Sequence, residues 1–105
     1  MKVTPQNTIR MIRGDTGMLS VTVTDDATGE EITKYCAKFT VKRNLNDNSF
    51  ALQKHIIDGE IAFNHWDTQV MDYGDYFYDI QIVSGGQVQT FGPYKFVLLP
   101  DVTTR

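Results

Sequence analysis

An alternation of apolar and polar residues with a period of two constrains the fold of this 105-residue chain more than any other feature. Because successive side chains of a β-strand point to opposite faces, each alternating segment has one apolar face and one wettable face. The apolar series are Leu19, Val21 and Val23, then Ala37, Phe39 and Val41, and then Tyr76, Tyr78, Ile80 and Ile82. This pattern predicts antiparallel strands that pack on one side only.

Turn-forming residues separate these segments at intervals typical of a small all-β domain. The breaks lie at residues 13–17, 25–29, 44–49, 58–59 and 84–86. They bound seven predicted strands, at about 8–12, 18–24, 37–43, 52–57, 60–63, 75–83 and 87–98. Pro93 removes a ladder donor from the last strand and its apolar phase slips, which predicts an edge position or a bulge near Gly92 and Pro93. The one short helix candidate is 65–71.

About seven short strands in a chain of this length indicate a β-sandwich or a β-barrel. Together with the segment 72–78 described below, they lead us to predict an immunoglobulin-like antiparallel β-sandwich with Greek-key connections. We expect a single domain over residues 1–105, with an ordered core at about 8–99 and a frayed end at 101–105. A chain of this size can bury a sufficient core without disulfides or a metal.

The segment 72–78 reads D-x-G-x-Y-x-Y and is similar to the tyrosine corner of immunoglobulin-type sandwiches. In such a corner a tyrosine ring joins the core while its hydroxyl bonds to backbone a few residues upstream. Asp72, Gly74 and Tyr76 are therefore the predicted structural corner. Tyr78 stands where antibody domains have a cysteine, and Phe39 is the candidate for the central core aromatic residue.

Composition excludes several classes of protein. The net charge of −3 disfavours general nucleic-acid binding, because phosphate repels it. Cys36 is the single cysteine, so an intrachain disulfide cannot form, and we expect a buried or half-buried structural thiol. No apolar run is long enough for a membrane span, and residues 1–7 lack the apolar core of a signal peptide. We expect synthesis in the cytoplasm with no export signal.

No residue pattern predicts catalysis, a cofactor or a metal. The two histidines, His55 and His65, lack the spacing of a metal motif. General acid catalysis needs one carboxyl held in an apolar cleft that raises its pKa, whereas the carboxylates here, including Asp25 and Asp26, fall in turns or on wettable faces. The tripeptide at 13–15 spells Arg-Gly-Asp, for which we predict a turn. The chain is therefore expected not to be an enzyme.

Four segments together resemble the immunoglobulin-like domains of phage and prophage structural proteins, such as the N-terminal domain of baseplate upper proteins and related tail or fibre proteins. They are Arg13-Gly14-Asp15-Thr16 with the strand after it, Ala37 to Arg43, Ile57-Asp58-Gly59-Glu60-Ile61, and Gly74 to Ile80. The resemblance covers residues 9–98. In that family the domain usually begins a longer chain. Met1 and the short end after the last strand favour a small complete protein over a piece of a longer one.

The resemblance implies a non-enzymatic role in a virion, through contacts with other virion proteins or with a second copy of the chain. The candidate interaction surface consists of Trp66, Phe77, Val83, Phe91 and Val97. The alternative is a carbohydrate-binding or adhesin-like module, with Trp66 as a sugar platform beside Asn64 and Asp67. Neither hypothesis includes nucleic acid, a membrane or a cofactor.

Overall fold

The computed structural model describes residues 1–101, and within them nine strands and one short helix are formed. The strands are β1 (Lys2–Thr4), β2 (Ile9–Ile12), β3 (Gly17–Ser20), β4 (Thr22–Thr24), β5 (Cys36–Lys42), β6 (Leu52–Ile56), β7 (Glu60–Phe63), β8 (Gly74–Ser84) and β9 (Gln87–Leu99). The helix α1 (His65–Gln69) lies between β7 and β8. The all-β prediction is confirmed. Fraying is expected at 101–105, and of these positions 102–105 lie outside the described residues.

Five strands form the largest sheet, in the order β2-β9-β8-β5-β6. Its pairs are antiparallel except β2 with β9, which run parallel from Ile9 beside Phe96 to Ile12 beside Leu99. Two shorter antiparallel ladders, β1 with β4 and β3 with β7, complete the described strands. Because only Val21 separates β3 from β4, one chain segment joins both short ladders.

The core lies between the five-stranded sheet and the two ladders, and its buried side chains form one cluster. Phe39 is at the centre, with its ring centroid 5.2 Å from Tyr78, 5.9 Å from Phe63 and 6.1 Å from Phe96. Since Phe63 belongs to β7 and the other three rings to the large sheet, these contacts join the two layers. All inward-facing residues predicted for β5 and β8 are buried.

Two features explain why nine strands form where seven are predicted. β1 is absent from the prediction because Val3 is a lone apolar residue between polar neighbours, although its side chain is fully buried. The predicted strand 18–24 is divided at Val21, whose N–H donates to the backbone oxygen of Gly59 at 2.7 Å. The ordered core thus begins before residue 8.

The predicted bulge in the last strand is confirmed. Tyr78 pairs with Tyr94 but Ile80 pairs with Phe91, so Gly92 and Pro93 together oppose Asp79. A Cβ added to Gly92 would lie 2.9 Å from the backbone oxygen of Tyr78. Gly92 also has φ of 134°, a conformation that L side chains rarely adopt. The bulge therefore depends on glycine.

Candidate docking surface

The outer face of the five-stranded sheet presents the alternate side chains of each strand to solvent. Cross-strand pairs fix which side chains are neighbours there, because residues directly opposite each other point to the same face. On this face Asp75 of β8 opposes Val97 of β9, Phe77 opposes Lys95, and Val83 opposes Val88. The exposed apolar residues of the strands of this face lie in two groups at its opposite ends.

The first group, here called the end patch, lies where β2 and β9 end and β8 begins. Ile12 opposes Leu99, and both are exposed. Val97, two residues before Leu99 in β9, is half-buried on the same face, and exposed Tyr73 immediately precedes β8. Half-buried Phe77 extends the apolar surface along β8. The end patch therefore joins side chains from three adjacent strands.

The second group, here called the tip patch, lies beside the loop between β8 and β9. Cys36, Val83 and Val88 stand side by side on β5, β8 and β9. Val83 is 40% exposed and Val88 60% exposed. The cysteine is also exposed, so the prediction of a buried or half-buried thiol is wrong. Cys36 is the first residue of β5, and the alternation turns its side chain outward while Ala37 fills the core.

A polar groove separates the two patches. It has a volume of about 330 Å³, and it is lined by Lys38, Thr40, Lys42, Asn48, Phe50, Gln53, Asp79, Gln81 and Thr90. Asp79 stands opposite the bulge of β9. Burial raises the pKa of its carboxyl above the usual value, and the positive charge of Lys42 acts in the opposite direction. The groove thus holds a partly desolvated carboxylate in the middle of the face.

The residues of the predicted corner fix the start of β8 beside the end patch. Tyr76 is buried, and its hydroxyl donates to the backbone oxygen of Asp72 at 2.6 Å. The guanidinium of Arg43 lies 4.6 Å from the centre of the Tyr76 ring, a cation–π distance. Gly74 has φ of 133°, and a Cβ there would come within 2.9 Å of Arg43 Nη1. Glycine at 74 therefore leaves the space that Arg43 fills.

The Arg-Gly-Asp segment forms the predicted turn. The N–H of Asp15 donates to the oxygen of Ile12 at 3.1 Å, which closes the turn. Gly14 is buried, and its N–H donates to Thr68 Oγ1 at 2.8 Å. Its oxygen lies 2.8 Å from Nδ1 of His65. Both backbone groups of Gly14 are thus bound to α1.

Trp66 lies on α1 and is 70% exposed, whereas its polar neighbours are engaged in the helix cap. Asn64 Oδ1 accepts hydrogen bonds from the N–H groups of Trp66 and Asp67, and an Asp67 carboxylate oxygen accepts one from the N–H of Asn64. Together these bonds form a capping box. Asp67 also pairs with Lys54 at 3.0 Å. The two residues expected to flank a sugar platform instead stabilise the helix.

One residue of the candidate interaction surface lies on the other side of the sheet. Phe91 opposes Ile80, which is fully buried, and its half-buried ring packs against the core cluster. The phase change at the bulge separates Phe91 from Val97, which faces outward. Val83 and Trp66 are exposed, and Phe77 is half-buried. The structure therefore brings Phe77 and Val97 together in the end patch, places Val83 in the tip patch, and leaves Trp66 on α1.

Ile12 and Leu99 belong to this surface but are missing from the predicted set. The sequence contains only an indirect signal for them, because their proximity depends on the parallel pairing of β2 with β9. Leu99 also lies one residue beyond the predicted end of the last strand.

The remaining residues considered in the sequence analysis are the histidines, the acidic turn at Asp25 and the candidates for a metal or membrane site. Among residues 1–101, no group of three His, Cys, Asp or Glu side chains is arranged to hold a metal ion. His55 lies on β6, opposite Lys38, and His65 on α1. Asp25 Oδ1 accepts from the N–H groups of Ala27 and Thr28, which is a turn interaction. In the described part of the chain, no helix has the length and apolar character to cross a membrane.

Comparison with known proteins leaves the family open. No protein-family model matches the chain, and a search of curated proteins finds no significant relative.

Proposed function

We propose that this protein is a non-enzymatic structural or assembly module of a phage or prophage virion, and that it acts through protein–protein contacts. The observation that carries the proposal is the end patch, in which exposed Ile12 and Leu99 lie beside half-buried apolar residues of β8 and β9 on one face of the sheet. Contiguous apolar surface of this kind marks sites of protein interaction. The resemblance of residues 9–98 to phage structural domains supplies the virion context.

We also propose that the fold is an immunoglobulin-like sandwich with a tyrosine corner. Three observations support this interpretation. The hydroxyl of Tyr76 bonds to Asp72, four residues upstream. Phe39 joins the two layers at the centre of the core. The N-terminal segment pairs with β4 through β1 and with β9 through β2, so it contributes a strand to each layer.

The end patch is the proposed docking surface for other virion proteins. Its apolar centre is bordered by charged side chains, with Arg10 opposing Val97 and Lys95 lying 3.7 Å from Asp75. An apolar centre with a polar rim is the usual anatomy of a protein interface. The charged rim supplies orientation and the apolar centre supplies most of the affinity.

The proposal is tested on particles from the strain that carries the gene. We expect the protein to co-purify with intact particles through a density gradient, and Leu99→Asp to abolish incorporation. Gln53→Asp is the matched control, because it adds the same charge to an exposed position of the outer face at the far edge of the sheet. Circular dichroism and thermal unfolding establish that both variants fold. Absence of the wild-type protein from particles contradicts the virion role, and normal incorporation of Leu99→Asp contradicts the docking surface.

A further inference from the structure

The first half of β9 is an open edge of the five-stranded sheet. β2 pairs with β9 only from Phe96 to Leu99. Among residues 1–101, no strand lies on that side of residues 87–91. An open edge presents backbone N–H and C=O groups that another strand can bind.

The loop before β9 determines which backbone groups of β9 bond to β8 and which point away from the sheet at its open edge. Gly85 and Gly86 form a two-residue loop with φ of 58° and 79°, and Ser84 pairs with Gln87 across it. The residues that flank such a loop exchange two hydrogen bonds. The other two-residue loop with positive φ at both positions, at 58–59, is closed in this way.

Hydrogen-bonded and non-hydrogen-bonded pairs then alternate along the antiparallel ladder. Gln87, Gln89 and Phe91 bond toward β8. The N–H and C=O groups of Val88 and Thr90 therefore point away from the sheet. The open edge offers two donors and two acceptors in a regular array.

This edge also lacks the charges that usually protect a sheet edge. Residues 84–94 contain no Asp, Glu, Lys, Arg or His. The other edge strands of the same sheet contain Arg10 in β2 and Lys54 in β6. Exposed edges in natural proteins are commonly blocked by charge, by proline or by a bulge. Here Pro93 and the bulge limit the open stretch to residues 87–91 but leave that stretch unprotected.

We propose that a second copy of this chain pairs with this edge, antiparallel, about a two-fold axis that passes beside Gln89. In this register Val88 of each copy opposes Thr90 of the other, and their outward N–H and C=O groups bind each other. The side chains of these two β-branched residues form favourable cross-strand pairs. Gly92 of one copy faces Gly86 of the other, so this pair adds no side chain to the contact. The donors and acceptors of the edge therefore match those of a second copy, and no charged side chain in residues 84–94 opposes the pairing.

The symmetry makes Gln89 the decisive position. Its side chain is exposed, and in the dimer it lies directly opposite its own symmetry mate in a non-hydrogen-bonded pair, where side chains are closest. Like charges placed there repel, and opposite charges attract. Gln89→Lys and Gln89→Glu should each prevent dimerisation, and an equimolar mixture of the two should restore it.

The experiment is sedimentation equilibrium over a range of concentrations that reaches the millimolar, because a short strand edge makes a small and weak interface. For wild type we expect the average mass to rise toward twice the monomer mass. Each single variant should stay at the monomer mass, and their mixture should again approach a two-fold increase. Gln53→Lys is the matched control and should dimerise as wild type does. Circular dichroism of each variant establishes that the sheet is intact.

Three results overturn the proposal. Wild type that stays at the monomer mass throughout shows that this edge binds no second copy. Equal association of wild type and both single variants places the contact elsewhere on the molecule. Monomeric variants whose mixture also remains monomeric show that position 89 does not meet its symmetry mate. The measurement uses only the purified chain, so its failure is distinct from the failure of the virion proposal, which depends on particle incorporation and on Leu99.

Discussion

The hydroxyl of Tyr76 and the backbone oxygen of Asp72 are joined by a hydrogen bond of 2.6 Å. Asp72 lies in the segment that leads from α1 into β8, and the ring of Tyr76 is buried in the core. The bond therefore anchors this connecting segment to the core. Because Val97 opposes Asp75 at the start of β8, the same bond stabilises the position of the end patch.

Removal of this hydroxyl should destabilise the protein measurably. We expect Tyr76→Phe to lower the free energy of unfolding by about 1–2 kcal/mol, because the hydrogen bond is lost and the oxygen of Asp72 is left with a poorer partner. Urea denaturation followed by circular dichroism measures the change. Tyr94→Phe is the control, since the Tyr94 hydroxyl makes no hydrogen bond to any residue in the range 1–101. Equal losses in the two variants would show that the bond to Asp72 contributes nothing specific.

A side chain at position 74 should be poorly tolerated. For Gly74→Ala we expect a loss of about 1–3 kcal/mol, from the positive φ and from the displacement of the Arg43 guanidinium. Gly17→Ala is the matched control, because no atom lies within 4 Å of a Cβ at that position. Thermal unfolding of both variants distinguishes them, and similar melting temperatures would contradict the steric argument.

Tyr78 should make stability fall at alkaline pH. Burial, reinforced by the neighbouring Tyr94, raises the pKa of Tyr78 to about 12. A tyrosine in the unfolded chain ionises near pH 10. The contribution of Tyr78 to the free energy of unfolding is therefore complete below that pH and is lost as the pH rises toward 12. The hydroxyl also donates to the oxygen of Asn7 at 2.7 Å. We therefore expect wild type to exceed Tyr78→Phe in stability at neutral pH, with the difference shrinking above about pH 10.

The test is denaturant unfolding of both proteins at a series of pH values, combined with the ultraviolet absorbance of tyrosinate. The absorbance titration of the native protein should contain a late component that is missing from Tyr78→Phe. A constant stability difference up to about pH 12 would contradict the assignment.

Asp79 should have a pH dependence of the same sign as Tyr78, but at acidic pH, where carboxyl groups titrate. Since burial raises the pKa of this carboxyl in the folded state, its ionisation opposes folding at neutral pH. The cost is complete above the folded pKa and is relieved as the pH falls below it. Asp79→Asn should therefore be more stable than wild type at neutral pH, with an advantage that shrinks on acidification. Denaturant unfolding of the two proteins at neutral and acidic pH measures this advantage, and an advantage that does not change with pH contradicts the assignment.

The strands with long apolar series could be predicted from the sequence because burial follows the pleat directly. In β5 and β8 every second residue lies in the core, and the polar residues between them face outward. The bulge could be predicted as well, since Pro93 and the slip in apolar phase occur together. The effect of the bulge on Phe91 could not be predicted. The face that Phe91 occupies depends on which two residues of β9 oppose a single residue of β8, and the sequence does not identify them.

The parts that could not be predicted depend on contacts between distant segments. Val3 is fully buried although β1 has no periodicity, because β4 supplies the partner strand. Cys36 is a different case, because the alternation that places Ala37 in the core also turns Cys36 outward, and the prediction of a buried thiol followed the usual burial of cysteine instead of this pattern. The end patch forms because β2 pairs with β9, and no local pattern contains that pairing.

The parallel pairing of β2 with β9 also has a consequence for biosynthesis. Ile9 must find Phe96, and Ile12 must find Leu99, so the sheet joins residues from near the start of the chain to residues near its end. A ribosome releases the chain from its N-terminus onward, and domains fold as units. Until β9 has left the exit tunnel, β2 has no strand to pair with in the five-stranded sheet. The five-stranded sheet of the nascent chain therefore depends on synthesis of β9, and a stall in translation before that point leaves β2 without its partner strand.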